Sequence, residues 1–196
     1  MKKKYIKIAF LLTSLVFLSS CASKYIKQDT DNFTESNTEK AEYNKKVISA
    51  FYGAFKRGDA EKMVSFYHDE VEFEDPAFGK LKGERAKNMW RMLIQKGKET
   101  LKVNFSNIKA NDNYSTAEWV ADYAFSVTGN QVHNEIKANF EFKDGKIYRH
   151  KDNFDIWKWS SMAIGIPGSI LGGTGLFQAK LTEEANKELS KFIDKK

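Results

Sequence analysis

The residues best equipped for acid–base chemistry are Asp75, His150 and Asp152. Asp75 closes the alternating stretch Val71-Glu72-Phe73-Glu74-Asp75, which Pro76 ends, so counting in twos puts it on the face of Val71 and Phe73. Glu72 and Glu74 fall on the opposite, solvated face. On a later stretch Tyr148, His150, Asp152 and Phe154 share one face, and Ile147, Arg149 and Lys151 share the other. If the first of these faces turns inward, a carboxyl group and an imidazole lie among aromatic rings. Burial raises a carboxyl pKa, and a neighbouring imidazole can share its proton. Asp75 or Asp152 could then abstract a proton or activate a water, with His150 as partner. The same residues also admit a structural role, in which Asp75 orients the turn after its strand and His150 and Asp152 form a satisfied pair.

Metal chemistry is not expected. The chain has three histidines and one cysteine. His68 follows a helix and His133 lies on a polar face with Glu135 and Lys137, so the three do not form a ligand set. No cofactor is expected either.

The elements that must position these residues follow from periodicity. Val47, Ala50, Phe51, Ala54 and Phe55 recur at helical spacing over 43–57, and Gly58 stops that helix. Asp59 caps a short helix to residue 66, and a third helix over 84–96 buries Ala86, Met89, Trp90, Leu93 and Ile94. Four stretches with strand periodicity follow, at about 101–109, 114–127, 131–142 and 146–154, joined by turns rich in Asn, Asp and Gly. Ala117, Trp119, Ala121, Tyr123 and Phe125 make one inward face, and Asn134, Ile136, Ala138, Phe140 and Phe142 another. Helices first and a curved antiparallel sheet afterwards predict an α+β domain.

The ends carry a different message. Lys2, Lys3, Lys4 and Lys7 precede an apolar run from Ile8 to Leu18, the layout of a secretory signal and too short for a comfortable membrane span. Leu18-Ser19-Ser20-Cys21 resembles the bacterial lipobox, which implies cleavage after residue 20 and a diacylated Cys21. Residues 22–42 are polar and aperiodic, and are expected to be a flexible tether. The expected partner is therefore a lipid bilayer, reached through Cys21. The expected address is the cell envelope, with the outer membrane preferred because Ala22 is not an aspartate. The full chain has 32 Lys and Arg against 26 Asp and Glu, net +6; losing the four signal lysines leaves 28 against 26, net +2. So even a balance gives no reason to expect nucleic acid as a partner.

The order helix, helix, strand, helix, four long strands resembles the NTF2-like family, which includes ketosteroid isomerases, SnoaL-like polyketide cyclases and limonene epoxide hydrolases. The resemblance spans about 43–155 and is carried by FKRGDAEKMVSFYHDEVEFEDP (55–76) and FEFKDGKIYRHKDNFD (140–155). It implies an NTF2-like cone, three N-terminal helices on a strongly curved, mainly antiparallel sheet, with a C-terminal helical extension over 156–196. Tyr52, Trp90, Trp119, Tyr123, Asn134 and Tyr148 are the candidates to line its pocket and hold a small apolar ligand. In ketosteroid isomerases an aspartate base works opposite a tyrosine and a protonated aspartic acid. Glu74-Asp75-Pro76 resembles the base, but Phe51 and Ala138 stand at the two donor positions, so that activity is not expected. The SnoaL-like cyclases imply an acid or base near His150 and Asp152.

Two functions stay open: a binding lipoprotein that holds an apolar ligand or a partner, and a cofactor-independent enzyme using Asp/His acid–base catalysis. A roomy cavity shared by the three polar residues favours the enzyme. A mouth plugged by Trp157, Trp159 or the glycine-rich segment favours binding without turnover. The apolar, glycine-rich segment 155–181 could pack on the domain as a lid, mediate a homodimer, or rest on the bilayer.

Overall fold

The structure, a computed structural model, describes residues 34–195. The signal segment, Cys21 and most of the tether lie outside the described residues. Residues from Glu35 onward form one compact unit.

Helix α1 (Glu39–Lys56) starts where the Thr38 hydroxyl accepts the Ala41 N–H at 3.1 Å. That is four residues before the apolar periodicity begins, so 39–42 belong to the domain and not to the tether. The helix buries Val47, Ile48, Phe51, Tyr52 and Phe55 on one face. Gly58, at φ 73°, ends it, and Asp59 caps α2 (Ala60–Ser65) through the Lys62 N–H at 2.9 Å.

Strand β1 (Tyr67–Asp75) turns through Pro76-Ala77-Phe78 into β2 (Gly79–Lys82), a short antiparallel strand with no counterpart in the sequence reading. Helix α3 (Gly83–Gly97) follows, then β3 (Lys102–Ala110), β4 (Tyr114–Ala124), β5 (Gln131–Lys143) and β6 (Lys146–Asn153). The six strands make one curved sheet in the order β2-β1-β6-β5-β4-β3, antiparallel except for β1 beside β6. This is the expected α+β architecture. Bulges help bend it: β3 slips against β4 between Ser106 and Lys109, where Asn107 takes φ 52°.

A second bulge corrects the reading of β6. Glu141 pairs with Arg149 but Phe142 pairs with Ile147, so Tyr148 is an extra residue in the ladder. Alternation restarts there. Ile147 is buried with His150 and Asp152, while Tyr148 turns outward beside Arg149. Tyr148 therefore lines no internal pocket. It flanks a shallow outer groove of about 420 Å³ with Glu70, Glu72, Lys82 and Gly83, under the cations of Lys143 and Arg149.

Beyond β6, Asp155 caps α4 (Ile156–Ile164) through the Trp157 and Lys158 N–H groups, both at 2.9 Å. Gly165, at φ 77°, breaks the chain into α5 (Ile166–Leu171), and Thr174 caps α6 (Gly175–Ile193). Helices α4 and α6 pack on the domain, and α5 packs on α4. Leu189 of α6 is fully buried in the main core. Asn186 donates to the Phe78 carbonyl at 2.8 Å and Gln178 to that of Pro76 at 3.2 Å, strapping α6 across the β1–β2 turn. Arg85 of α3 donates to the Asn186 carbonyl and side-chain oxygens, both at 3.1 Å. Among the described residues no helix is long and apolar enough to cross a membrane.

Candidate functional site

The parallel pairing of β1 with β6 decides what meets inside the cone. Phe73 lies opposite His150 and Glu74 opposite Lys151, where the paired ladder ends; by alternation Asp75 and Asp152, one residue further on each strand, turn to the same inner face, and the charge of Asp152 acts on Asp75. Asp152 is also opposite Ala138 of β5, a residue small enough to leave its carboxyl room.

The inner polar groups form one chain. The Trp90 indole donates to the Tyr67 hydroxyl at 2.7 Å, and Tyr67 Oη lies 2.6 Å from His150 Nδ1. His150 Nε2 lies 3.0 Å from Asp152 Oδ1, which also accepts the Trp119 indole at 3.2 Å. An indole N–H can only donate, so one assignment satisfies every group: Tyr67 gives its hydrogen to Nδ1, and the neutral imidazole gives its Nε2 hydrogen to Asp152. Both bonds to Asp152 fall on Oδ1.

These groups are covered by rings. His150 is 1% exposed and Asp152 3%. The imidazole stacks on Phe140 at 4.3 Å between centroids, lies parallel to Trp90 at 5.8 Å, and meets Phe51 and Phe73 edge-on. Burial, with the Asp152 carboxylate nearby, pushes the Tyr67 and Tyr52 hydroxyls well above the usual tyrosine range. Among the described residues the enclosed Tyr52 hydroxyl has no hydrogen-bond partner.

Asp75 behaves differently. Its Oδ1 accepts the Ala77 N–H at 3.0 Å and the Phe78 N–H at 2.5 Å, fixing the turn into β2. The residue keeps some surface at the end of the strand, but its carboxyl is enclosed by protein. Burial is the main cause that raises its pKa from 3.8 to about 7, the Asp152 charge adds to it, and the turn N–H groups oppose it. Asp75 can thus hold a proton near neutral pH.

At the mouth a second apolar cluster closes the cone. Val132, Trp159 and Ala163 pack with Tyr123, Phe125 and Phe154. The Trp159 indole donates to the Tyr123 hydroxyl at 2.8 Å, and the same hydroxyl is raised in pKa by burial and, further, by Asp75. Thr128 and Asn130 of the β4–β5 turn donate to the Ala163 carbonyl at 2.6 and 3.3 Å, pinning the end of α4.

The structure therefore unites His150 with Asp152 by a direct bond, and sets Asp75, one residue beyond the ladder, within reach of the Asp152 charge. Trp90, Trp119 and Tyr52 are core around the network, and Tyr123 stands at the mouth. Asn134 is inward on β5, opposite Ala121. Tyr67 was missed, because alternation does not run unbroken from Phe73 back to it: Asp69 is exposed and the pairing with β6 is irregular between Tyr67 and Glu72. His133 lies outward near Asp122, as its polar neighbours implied. His68, at 3.7 Å from Asp144, belongs to a loose surface pair. Among the described residues no group of His, Cys, Asp and Glu could hold a metal ion.

Solved structures share this architecture at low identity, which speaks to fold alone. Bal32a, from a soil-derived mobile gene cassette, superposes with TM-score 0.55 at 19% identity, over 63% of this chain and 98% of that one. An LEH-like epoxide hydrolase of Mycobacterium tuberculosis gives 0.52 at 17%, over 67% and 97%. An NTF2-like protein of Burkholderia xenovorans LB400 gives 0.52 at 15%, over 63% and 97%. No curated protein sequence matches the chain. The sequence profile of the SnoaL-like domain matches residues 48–150, from within α1 to His150, which leaves α4 to α6 outside it, and by that match the chain belongs to the family of SnoaL-like domains.

Proposed function

We propose that this chain is a cell-envelope lipoprotein, anchored through acylated Cys21, whose SnoaL-like cone holds a small apolar ligand at its mouth without turning it over. The observation that carries this reading is the Trp159 plug. A flat aromatic ring from outside the family's span fills the mouth, hydrogen-bonded to Tyr123 and packed on Val132, Phe125 and Phe154. A ligand of similar shape, with a donor for the Tyr123 hydroxyl, fits the place that Trp159 vacates when α4 lifts.

The inner network supports binding over turnover. Trp90, Tyr67, His150 and Trp119 spend their polar atoms within the network, as does Oδ1 of Asp152, and the hydroxyl end of the chain points inward to Trp90. One observation favours the second reading, acid–base catalysis. Asp75, with its pKa near 7 beside Asp152, is poised to give or take a proton once the mouth opens.

The test is Trp159→Ala, which empties the plug. The variant is expected to bind a hydrophobic fluorescent probe at least tenfold more tightly than the wild type, with its circular dichroism retained. Tyr148→Ala, on the outer groove, should bind the probe as the wild type does. Equal binding by wild type and Trp159→Ala would remove the mouth as a ligand site.

A further inference from the structure

We infer that the α4–α5 helix pair is a bilayer-docking face. It resides on the side of α4 that points away from the plug. Trp157 is 55% exposed, Ile166 77%, Ile170 71% and, at the start of α6, Leu176 84%. Between Ile156 and Phe177 the only charged residue is Lys158. Large apolar side chains gathered on one surface and held there mark an interaction site.

The pair is built to hold them outward. A Cβ at Gly168 would sit 2.0 Å from the Ser160 carbonyl oxygen, and one at Gly172 would sit 2.7 Å from the Ser160 Cβ, so α5 lies directly on the backbone of α4. With that interface made of small residues, the bulk of α5 is left facing solvent. Close helix contact through small residues is also the packing used where no hydrophobic drive separates helix from surroundings. The Trp157 indole N–H is already satisfied by the Ser169 carbonyl at 2.8 Å. Its ring can therefore enter an apolar layer without stranding a donor.

The occupant follows from where the tether ends, and this step rests on the Cys21 anchor proposed above. The chain enters the domain at the β3–β4 turn, where Ser36 bonds to Ala110 and Thr38 to Asp112. The docking face lies beyond the β4–β5 turn, where Thr128 bonds to Ala163. Strand β4, 11 residues long, separates the two ends by about 36 Å. Fully extended, the residues from Ala22 to Ser36 reach about 50 Å. The anchor can thus stay in the bilayer while the face rests on it, and tethering makes the bilayer the surface met most often. A mouth laid against lipid would also give an apolar ligand a direct way in.

The test uses the chain from Cys21 onward, coupled through its single thiol to maleimide lipid in vesicles of phosphatidylethanolamine and phosphatidylglycerol with brominated acyl chains. Bromine should quench the tryptophan emission of the wild type, and Trp157→Phe should lose that quenching. Ile170→Asp with Leu176→Asp should cut it at least fivefold while leaving the melting temperature unchanged. Quenching that is equal in the double variant, or absent in the wild type, would overturn the docking face. Concentration-dependent dimers in the wild type, lost in the double variant and accompanied by no quenching, would assign the face to a second copy instead. Acylation is read separately, as the mass added to Cys21 in chain recovered from bacterial membranes, so a failed anchor and a failed face give different results.

Discussion

Asp75 carries two duties that pull its pKa in opposite directions. Burial and the charge of Asp152 raise it, while the N–H groups of Phe78 and Ala77 hold the ionised form. The first duty wins, with a pKa of about 7. Because the folded value lies above the unfolded one, the folded chain keeps the proton longer. The stability that this gives is complete below about pH 4 and is lost as pH rises through about 7. Asp75→Asn keeps an oxygen for the turn and removes the titration. Its urea midpoint should stay flat from pH 4 to 8, where the wild type declines by at most about 4 kcal/mol of stability. A parallel decline in the variant would assign the slope to another group. Asp75, His150 and Asp152 were legible in the sequence because their types and two-residue spacing are local. Tyr148 was not, because a bulge adds a residue without changing the composition that a reader counts.

At the scale of elements, strong periodicity was readable and short or polar elements were not. The long strands β4 and β5 alternate cleanly, so their inward faces could be named in advance. Strand β2 is only four residues, Gly-Lys-Leu-Lys, and owes its existence to pairing with β1. The first turn of α1 is polar, and what identifies it is the Thr38 cap. The helix pair α4–α5 depends on backbone contact that no residue other than glycine permits at 168. Gly168→Ala should therefore destabilise the chain by about 1–3 kcal/mol. Gly175→Ala, with nothing within 4 Å of the added methyl, should be neutral or slightly stabilising. Chemical denaturation of both variants checks this. Equal stabilities would mean that α5 does not press on Ser160 as described.

For the molecule as a whole, the SnoaL-like core and the extension divide the work. The core, matched over 48–150, supplies most of the curved sheet, the aromatic interior, Asp75 and His150, and Asp152 follows two residues beyond that span. The extension closes the mouth with Trp159, straps the β1–β2 turn through Gln178 and Asn186, and offers its apolar outer side. Family membership was readable because the order of elements is written in periodicity. The plug was readable only as one of several fates for an apolar segment, since which surface such a segment covers is set by tertiary contacts such as Trp159 on Tyr123. The proposed function is that the closed cone binds and does not convert. Its most direct test is mass spectrometry of small molecules released from the chain 22–196, isolated from the host that makes it, alongside Asp75→Asn and Asp152→Asn. Asparagine keeps an acceptor oxygen at both positions, so the fold and the mouth should persist. One apolar compound is expected, recovered unchanged from all three. A product in the wild type, replaced by its precursor in either variant, would contradict it and say which carboxyl group performs the reaction.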